Sequence, residues 1–245
     1  TMEDGDREFS FYRNPGADMA LEEADLDEEL IRNSRIFHYG SLSMTHEGCR
    51  LATRKAVDIA EKSGAVLSFD PNLRESLWGS LDEAREQILY GMAHCQILKI
   101  SDNEIQWLTG EVDFDKGIEW IRERFSIPLI LLSMGKEGSR AYVEGKRVQQ
   151  EAFVQEKTVE TTGAGDTFCG CILNYVLDVF LAAEWPEEAE KSRQLFAEKC
   201  RECTEEQLRE MLRFANAAAS IITTRKGALR VMPTREEVEA FLNGI

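Results

Sequence analysis

Four short apolar runs recur at wide, regular intervals: Arg35–Tyr39, Ala65–Asp70, Gln96–Ile100 and Leu129–Ser133. Segments of helical length and pattern separate them, over Thr45–Ser63, Leu81–Ala93 and Phe114–Phe125. Runs of five or six residues that are apolar throughout suit strands buried on both faces. Strands joined by helices must lie parallel, because a hairpin cannot return the chain to the same end. The alternation therefore predicts an α/β fold with a mainly parallel sheet between layers of helices. The pair Ser139–Val143 and Arg147–Ala152, joined by Glu144-Gly145-Lys146, reads as a β-hairpin. Beyond it lie an extended run, Glu151–Val159, and an apolar helical segment, Phe168–Phe180. A charged stretch over 184–204 follows, read as a solvated helix rather than a partner surface. A helix then spans Thr204 to about Thr223, and a last one starts at Thr234, with Glu237 completing a capping box.

Ligands of open α/β sheets bind beyond the carboxyl ends of the strands. Polar residues and glycines collect there in this chain: Gly40-Ser41, Asp70-Pro-Asn72-Leu-Arg74, Ser101-Asp-Asn-Glu104 and Ser133-Met-Gly135-Lys-Glu-Gly138. The most informative of these ends is Glu160-Thr-Thr-Gly163-Ala164-Gly165-Asp166-Thr-Phe. Glycine-rich backbone at a helix start offers free N–H groups and the positive end of the helix dipole to an anion. Asp166, in the first turn, is placed to accept a proton beside that anion. Position alone leaves two readings open, since glycines and Asp at a helix start are also ordinary turn chemistry. Neither G-x-x-x-x-G-K-[ST] nor G-x-G-x-x-G between a strand and a helix is present.

A chain of 245 residues, 43% of them hydrophobic, buries one large α/β core. A net charge of −16 argues against nucleic acid as a partner, and a polyanionic ligand needs local donors against that field. No apolar run reaches membrane-spanning length and no secretory signal is visible, so a cytoplasmic protein is expected. The six cysteines show no disulfide framework. Cys200-Arg-Glu-Cys203 is a lone pair without a nearby His, so neither zinc nor redox chemistry is expected of it.

Taken together, these segments resemble the ribokinase-like, or PfkB, carbohydrate kinases. Residues 160–168 are similar to that family's D-T-x-G-A-G-D motif. Asn216-Ala-Ala-Ala, Thr224-Arg-Lys-Gly-Ala228 and Pro233-Thr234 follow in the family's order. Phe11-Tyr12-Arg13-Asn14-Pro15, Phe37-His-Tyr-Gly-Ser41, Phe69–Arg74 with Leu77-Trp78, and Lys99–Glu104 with Leu108-Thr-Gly110 resemble bacterial fructokinases. 2-Keto-3-deoxygluconate kinases share parts of the pattern and are the nearest rival.

The resemblance implies a three-layer α/β/α fold and ATP-dependent phosphorylation of a sugar hydroxyl, with fructose at its 6-position the leading substrate. It implies Asp166 as base and the Gly163, Ala164 and Gly165 backbone as anion hole. Tyr12 and Arg13 are expected in the sugar-contacting lid segment, and Arg74 on the sugar or the transferring phosphoryl. Asn72, Ser101, Ser133, Gly135, Gly138, Gly165 and Asn216 are expected on the nucleotide side, and Glu104 is expected to organise Mg²⁺ through water.

Residues 1–20 would be the remnant of a β lid, through which relatives often dimerise, and 21–245 the catalytic domain. The family's first sheet strand and its G-G-x-x-x-N segment have no counterpart here, so a truncated form of a longer enzyme is expected. Two departures matter. Ser101 stands where the family has Asn in N-x-x-E, which weakens an expected phosphate contact. Glu160 replaces the motif's first Asp and Val231 a small residue, so K⁺ bound in the usual geometry is doubtful. A catalytically degenerate sugar- or nucleotide-binding protein is the non-enzymatic alternative.

Overall fold

The computed structural model describes residues 16–181, 186 and 188–244. Tyr12 and Arg13 therefore lie outside the described residues, and so does most of the 1–20 lid segment. Of that segment, 16–20 hold a single 3₁₀ turn at Ala17–Met19.

Six strands form one sheet: β1 (Ile36–Gly40), β2 (Val66–Asp70), β3 (Ile97–Ser101), β4 (Leu129–Ser133), β5 (Ser139–Val143) and β6 (Lys146–Gln150). They lie in chain order, β1 to β4 parallel and β4–β5–β6 antiparallel. The predicted strands are all present, most within a residue of their expected ends. β6 stops at Gln150 rather than Ala152, because the Gln150 and Glu151 carbonyls turn to accept hydrogen bonds from the Asn216 amide.

Among the described residues the helices are α1 (Glu28–Arg32), α2 (Glu47–Lys62), α3 (Leu81–His94), α4 (Asp102–Thr109) and α5 (Phe114–Arg122), then α6 (Ala164–Tyr175), α7 (Ala189–Glu202), α8 (Glu205–Thr223) and α9 (Arg235–Asn243). Side chains alternate across each strand, so every strand serves two cores. Leu67, Phe69, Leu98, Ile100, Ile130 and Leu132 face α2–α5. Val66, Ile97, Leu129 and Leu131 face Phe168 and Ile172 of α6, Phe196 of α7, and Leu208, Met211 and Leu212 of α8. These side chains are nearly all fully buried. Each is worth about 1.5–3 kcal/mol on transfer from water, which is what holds three layers together.

The helix after the glycine motif begins at Ala164, so Asp166 lies in its first turn as expected. Three expectations need correction. This helix gives way at Val176–Phe180 to a π turn instead of running on as regular helix. The charged stretch does form a helix, α7, but not a wholly solvated one, since it buries Phe196 and Cys200 against the sheet. The segment 151–159 forms no strand and follows α8 instead. There the Phe153 carbonyl accepts the Ser220 hydroxyl at 2.5 Å, and the Val159 N–H donates to the Thr223 carbonyl at 2.8 Å. All six cysteines are free thiols, five buried and Cys171 half-buried.

Candidate active site

Gly163 is the N-cap of α6 and adopts φ 77°, a left-handed conformation that glycine reaches without a Cβ penalty. A Cβ there would also stand 3.3 Å from Ile222 Cδ1 and 3.4 Å from Ala228 Cβ, tighter than ordinary contact. The turn is pinned from behind. Val159 and Glu160 both donate their N–H to the Thr223 carbonyl, and the Glu160 carboxylate accepts the Gly227 N–H at 3.1 Å. The 160–163 and 224–228 segments are thus tied to each other and to the end of α8. Of the first-turn N–H groups of α6, that of Ala164 donates to the Thr161 carbonyl at 3.2 Å, while those of Gly165 and Asp166 have no intrahelical acceptor, an arrangement suited to an anion. Asp166 lies on that same turn with its side chain exposed, reachable by a hydroxyl from solvent.

The loop after β2 is built by two buried carboxylates. Asp70 Oδ1 accepts the Asn72 N–H at 3.2 Å, and Glu104 Oε1 accepts the Leu73 N–H at 2.8 Å. Asn72 takes φ 45°, the only positive φ of a non-glycine among the described residues, and this turns Arg74 toward α4. Arg74 is half-buried and donates to the Leu73 carbonyl at 2.8 Å.

The loop after β3 turns out to be the start of a helix. Ser101 caps α4, its hydroxyl accepting the Glu104 N–H, while Glu104 Oε2 accepts from the Ser101 N–H at 2.8 Å and hydroxyl at 2.9 Å. This capping box leaves a rigid, buried Glu104 carboxylate beside Arg74. Together with Leu73, Asn103 and Trp107 they line a cavity of about 200 Å³. Both Glu104 oxygens and the Ser101 hydroxyl are engaged, and among the described residues no group of three His, Cys, Asp or Glu side chains stands ready to ligate a metal directly, so Glu104 would act on a cation only through water.

Ser133, Gly135 and Gly138 sit together beyond β4. Gly135, with φ 52° and open space around it, leaves its backbone accessible. Gly138 is needed for packing, since a Cβ would fall 2.1 Å from the Gln150 carbonyl oxygen. Asn216, on α8, is nearly buried and fully engaged. Its carbonyl accepts the Ser139 hydroxyl at 2.9 Å, and its amide donates to Gln150 and Glu151 at 3.1 Å each. The structure thus groups the site residues in three: Gly163–Asp166, Asn72–Arg74 with Ser101 and Glu104, and Ser133–Gly138 with Asn216 packed behind.

One participant in the first group was not singled out from its motif. Lys99, on β3, pairs with Asp70 at 3.0 Å, and both side chains are only 8% exposed. Burial pushes the Asp70 carboxyl up to about 6 against the pull of the Lys99 ammonium. Burial would lower the Lys99 value, but the Asp70 and Glu104 carboxylates outweigh it, so Lys99 is raised and stays an ammonium. Burial likewise pushes the Cys169 thiol, one turn along α6, up to about 12. His38, exposed at the rim of β1, has its Nδ1 within hydrogen-bond distance of the Ser68 hydroxyl (3.0 Å), and partial desolvation of the ring lowers its pKa, with Asp166 opposing and Lys99 adding to the effect. The signal for Lys99 was legible: a charged residue inside a strand otherwise buried on both faces, one step beyond the Phe69–Leu98 pair of the β2–β3 register, and hence opposite Asp70.

The model of the pfkB family carbohydrate kinases matches residues 1–235. The chain belongs to that family. The kinase is 42% identical over 239 residues to a probable fructokinase-2 of Arabidopsis thaliana, a match covering 98% of this chain and 67% of that protein. Fructokinase-2 of Solanum lycopersicum is 39% identical, with 98% and 67% covered. The chain thus spans about two thirds of the length of these relatives. Among solved structures, the fold is similar to a fructokinase with bound ATP from Xylella fastidiosa (TM-score 0.82, 26% identity, 98% of this chain and 71% of that one). It is also similar to a Vibrio cholerae O395 fructokinase variant bound to fructose, ADP and potassium ion (TM-score 0.76, 25% identity, 93% and 66%). Among the described residues no helix is long and apolar enough to cross a membrane.

Proposed function

We propose that this kinase transfers the γ-phosphoryl of ATP to the 6-hydroxyl of fructose. The observation that carries the reading is the exposed Asp166 carboxylate on the first turn of α6, directly after the left-handed Gly163 that frees the anion-binding amides. The fructokinase relatives and the ATP-bound and fructose-bound neighbours support the choice of substrates. Asp166 accepts the sugar hydroxyl proton as the oxygen attacks the γ-phosphorus, and the bond from that phosphorus to the ADP oxygen breaks. Phosphoryl transfer passes through a loose transition state, so positioning and charge stabilisation supply most of the rate. The Gly163–Gly165 amides receive the phosphoryl charge, and Arg74, with its planar fork, meets a phosphoryl or sugar oxygen.

Glu104, beside Ser101, would hold through water the Mg²⁺ that accompanies ATP, and that ion would neutralise charge on the phosphates. Asn72, Ser133, Gly135 and Gly138 line the nucleotide path, with Asn216 behind them, and Tyr12 and Arg13 approach the sugar. K⁺ is not built into this reading: Glu160 already holds the Gly227 N–H, and Val231 brings no side-chain oxygen. A lid-mediated homodimer is the expected assembly.

The test is coupled-assay turnover of fructose, ribose and 2-keto-3-deoxygluconate with ATP. Fructose should be preferred, and Asp166→Asn should lower kcat by about 10²–10⁴-fold at unchanged ATP affinity. Preference for the keto-acid would replace the substrate assignment, and near-normal turnover by the variant would remove Asp166 from the chemistry.

A further inference from the structure

Lys99 lies on the β3 face covered by α6, α7 and α8, where neighbouring strand residues Val66, Ile97, Leu129 and Leu131 are apolar. Its Nζ stands 3.6 Å from the point a Gly165 Cβ would occupy, so the ammonium sits directly beneath the first turn of α6. On its other side it contacts both Asp70 oxygens, at 3.0 and 3.2 Å. Asp70 in turn holds the Asn72 N–H of the loop that carries Arg74.

A buried ion pair is a poor way to stabilise a fold, since apolar residues of similar volume serve as well or better. Its place in the molecule therefore calls for a different account. The groups around Lys99 are the Asp70 and Glu104 carboxylates, the Cys169 thiol and, nearer the cleft, His38 and Asp166. The pair forms a fixed dipole with its positive end under the anion-binding turn, in surroundings that screen it little.

We infer that Lys99, held by Asp70, is a positioning residue for phosphoryl transfer: it sets the charge beneath the Gly163–Gly165 amides and locks that turn to the Arg74 loop. This rests on the kinase reading above. Lys99 contacts neither substrate. It acts through the α6 backbone on charge that grows as the phosphoryl group transfers.

The single Lys99→Met variant strands the buried Asp70 carboxylate, so the informative protein is Lys99→Met combined with Asp70→Asn. Its melting temperature is expected within about 4 °C of wild type, because both charges leave together. Its kcat falls by about 10²-fold, the loss seen when one electrostatic donor is removed, while KM for ATP and sugar stays within about threefold. Affinity for ADP with fluoroaluminate, a mimic of the transferring phosphoryl, drops by about tenfold or more, and affinity for ADP alone does not change. A kcat within about threefold of wild type in the folded double variant overturns the inference. If the wild-type protein phosphorylates no sugar, the kinase reading fails instead. The inference is then judged on ADP–fluoroaluminate alone, where equal binding by the two proteins overturns it.

Discussion

Replacing Asn216 with Ala separates two kinds of work that one side chain performs. The amide makes three hydrogen bonds in a site only 7% exposed: from Ser139 Oγ at 2.9 Å, and to the Gln150 and Glu151 carbonyls at 3.1 Å each. A net contribution near 1 kcal/mol per bond gives about 3 kcal/mol. The Ser139 hydroxyl, 1% exposed, is then left without its acceptor, which keeps the estimate from falling much lower. For a chain of this size about 3 kcal/mol corresponds to a fall of about 6–12 °C in melting temperature. With an m-value near 3 kcal/mol/M, the urea midpoint drops by about 1 M. The measurement is urea unfolding followed by far-ultraviolet circular dichroism, beside ATP titration well below the new melting point. Melting should fall as stated while ATP affinity changes by less than about threefold, because the amide's bonding capacity is spent on the β5–β6 hairpin. Melting within about 2 °C of wild type with a tenfold loss of ATP affinity would refute this account and make Asn216 a direct nucleotide contact.

Two further outcomes follow from the same geometry. Glu104→Gln keeps the side chain's shape but removes its charge, so the Mg²⁺ concentration for half-maximal rate should rise by about 10–100-fold, as for other outer-sphere ligands; an unchanged Mg²⁺ titration counts against Glu104. His38 has a folded pKa below its ordinary 6.5, so its neutral form stabilises the fold fully above about pH 6.5 and that stability is lost as pH falls further. Melting curves of wild type and His38→Gln should therefore converge or cross between pH 7.5 and 5.5, with wild type losing more; parallel curves would show that His38 contributes nothing.

Much of the architecture was legible because it rests on periodicity. Leu129–Ser133 and Ser139–Val143 match their strands to the residue, since a run of apolar side chains or a Gly145 turn marks each end. Other features depend on neighbours distant in sequence. The Glu151–Val159 run looked like a strand but found its partners on α8, where Ser220 and Thr223 offer hydrogen bonds that no open sheet edge supplied. The Ser101–Glu104 box carried a plain helix-start signal, and the structure shows its carboxylate closing that cap while also holding the Leu73 N–H of the neighbouring loop. The Asp166 helix start was visible as a motif, while the cation beneath that turn was not singled out, because Asp70 and Lys99 meet only through strand register.

The strict neighbour order of the strands also governs how the molecule comes into being. Each of these strands pairs with the one next to it in sequence, so the contacts among β1 to β6 are as local as a crossover-linked sheet allows. The turn that carries Asp166 is synthesised after all six strands, and α8, which pins that turn through Thr223, later still. Until α6 to α8 follow, the sheet face that carries Val66, Ile97, Leu129 and Leu131 lacks the helices that cover it, so the turn bearing Asp166 and the cover of that face depend on the same late stretch of chain.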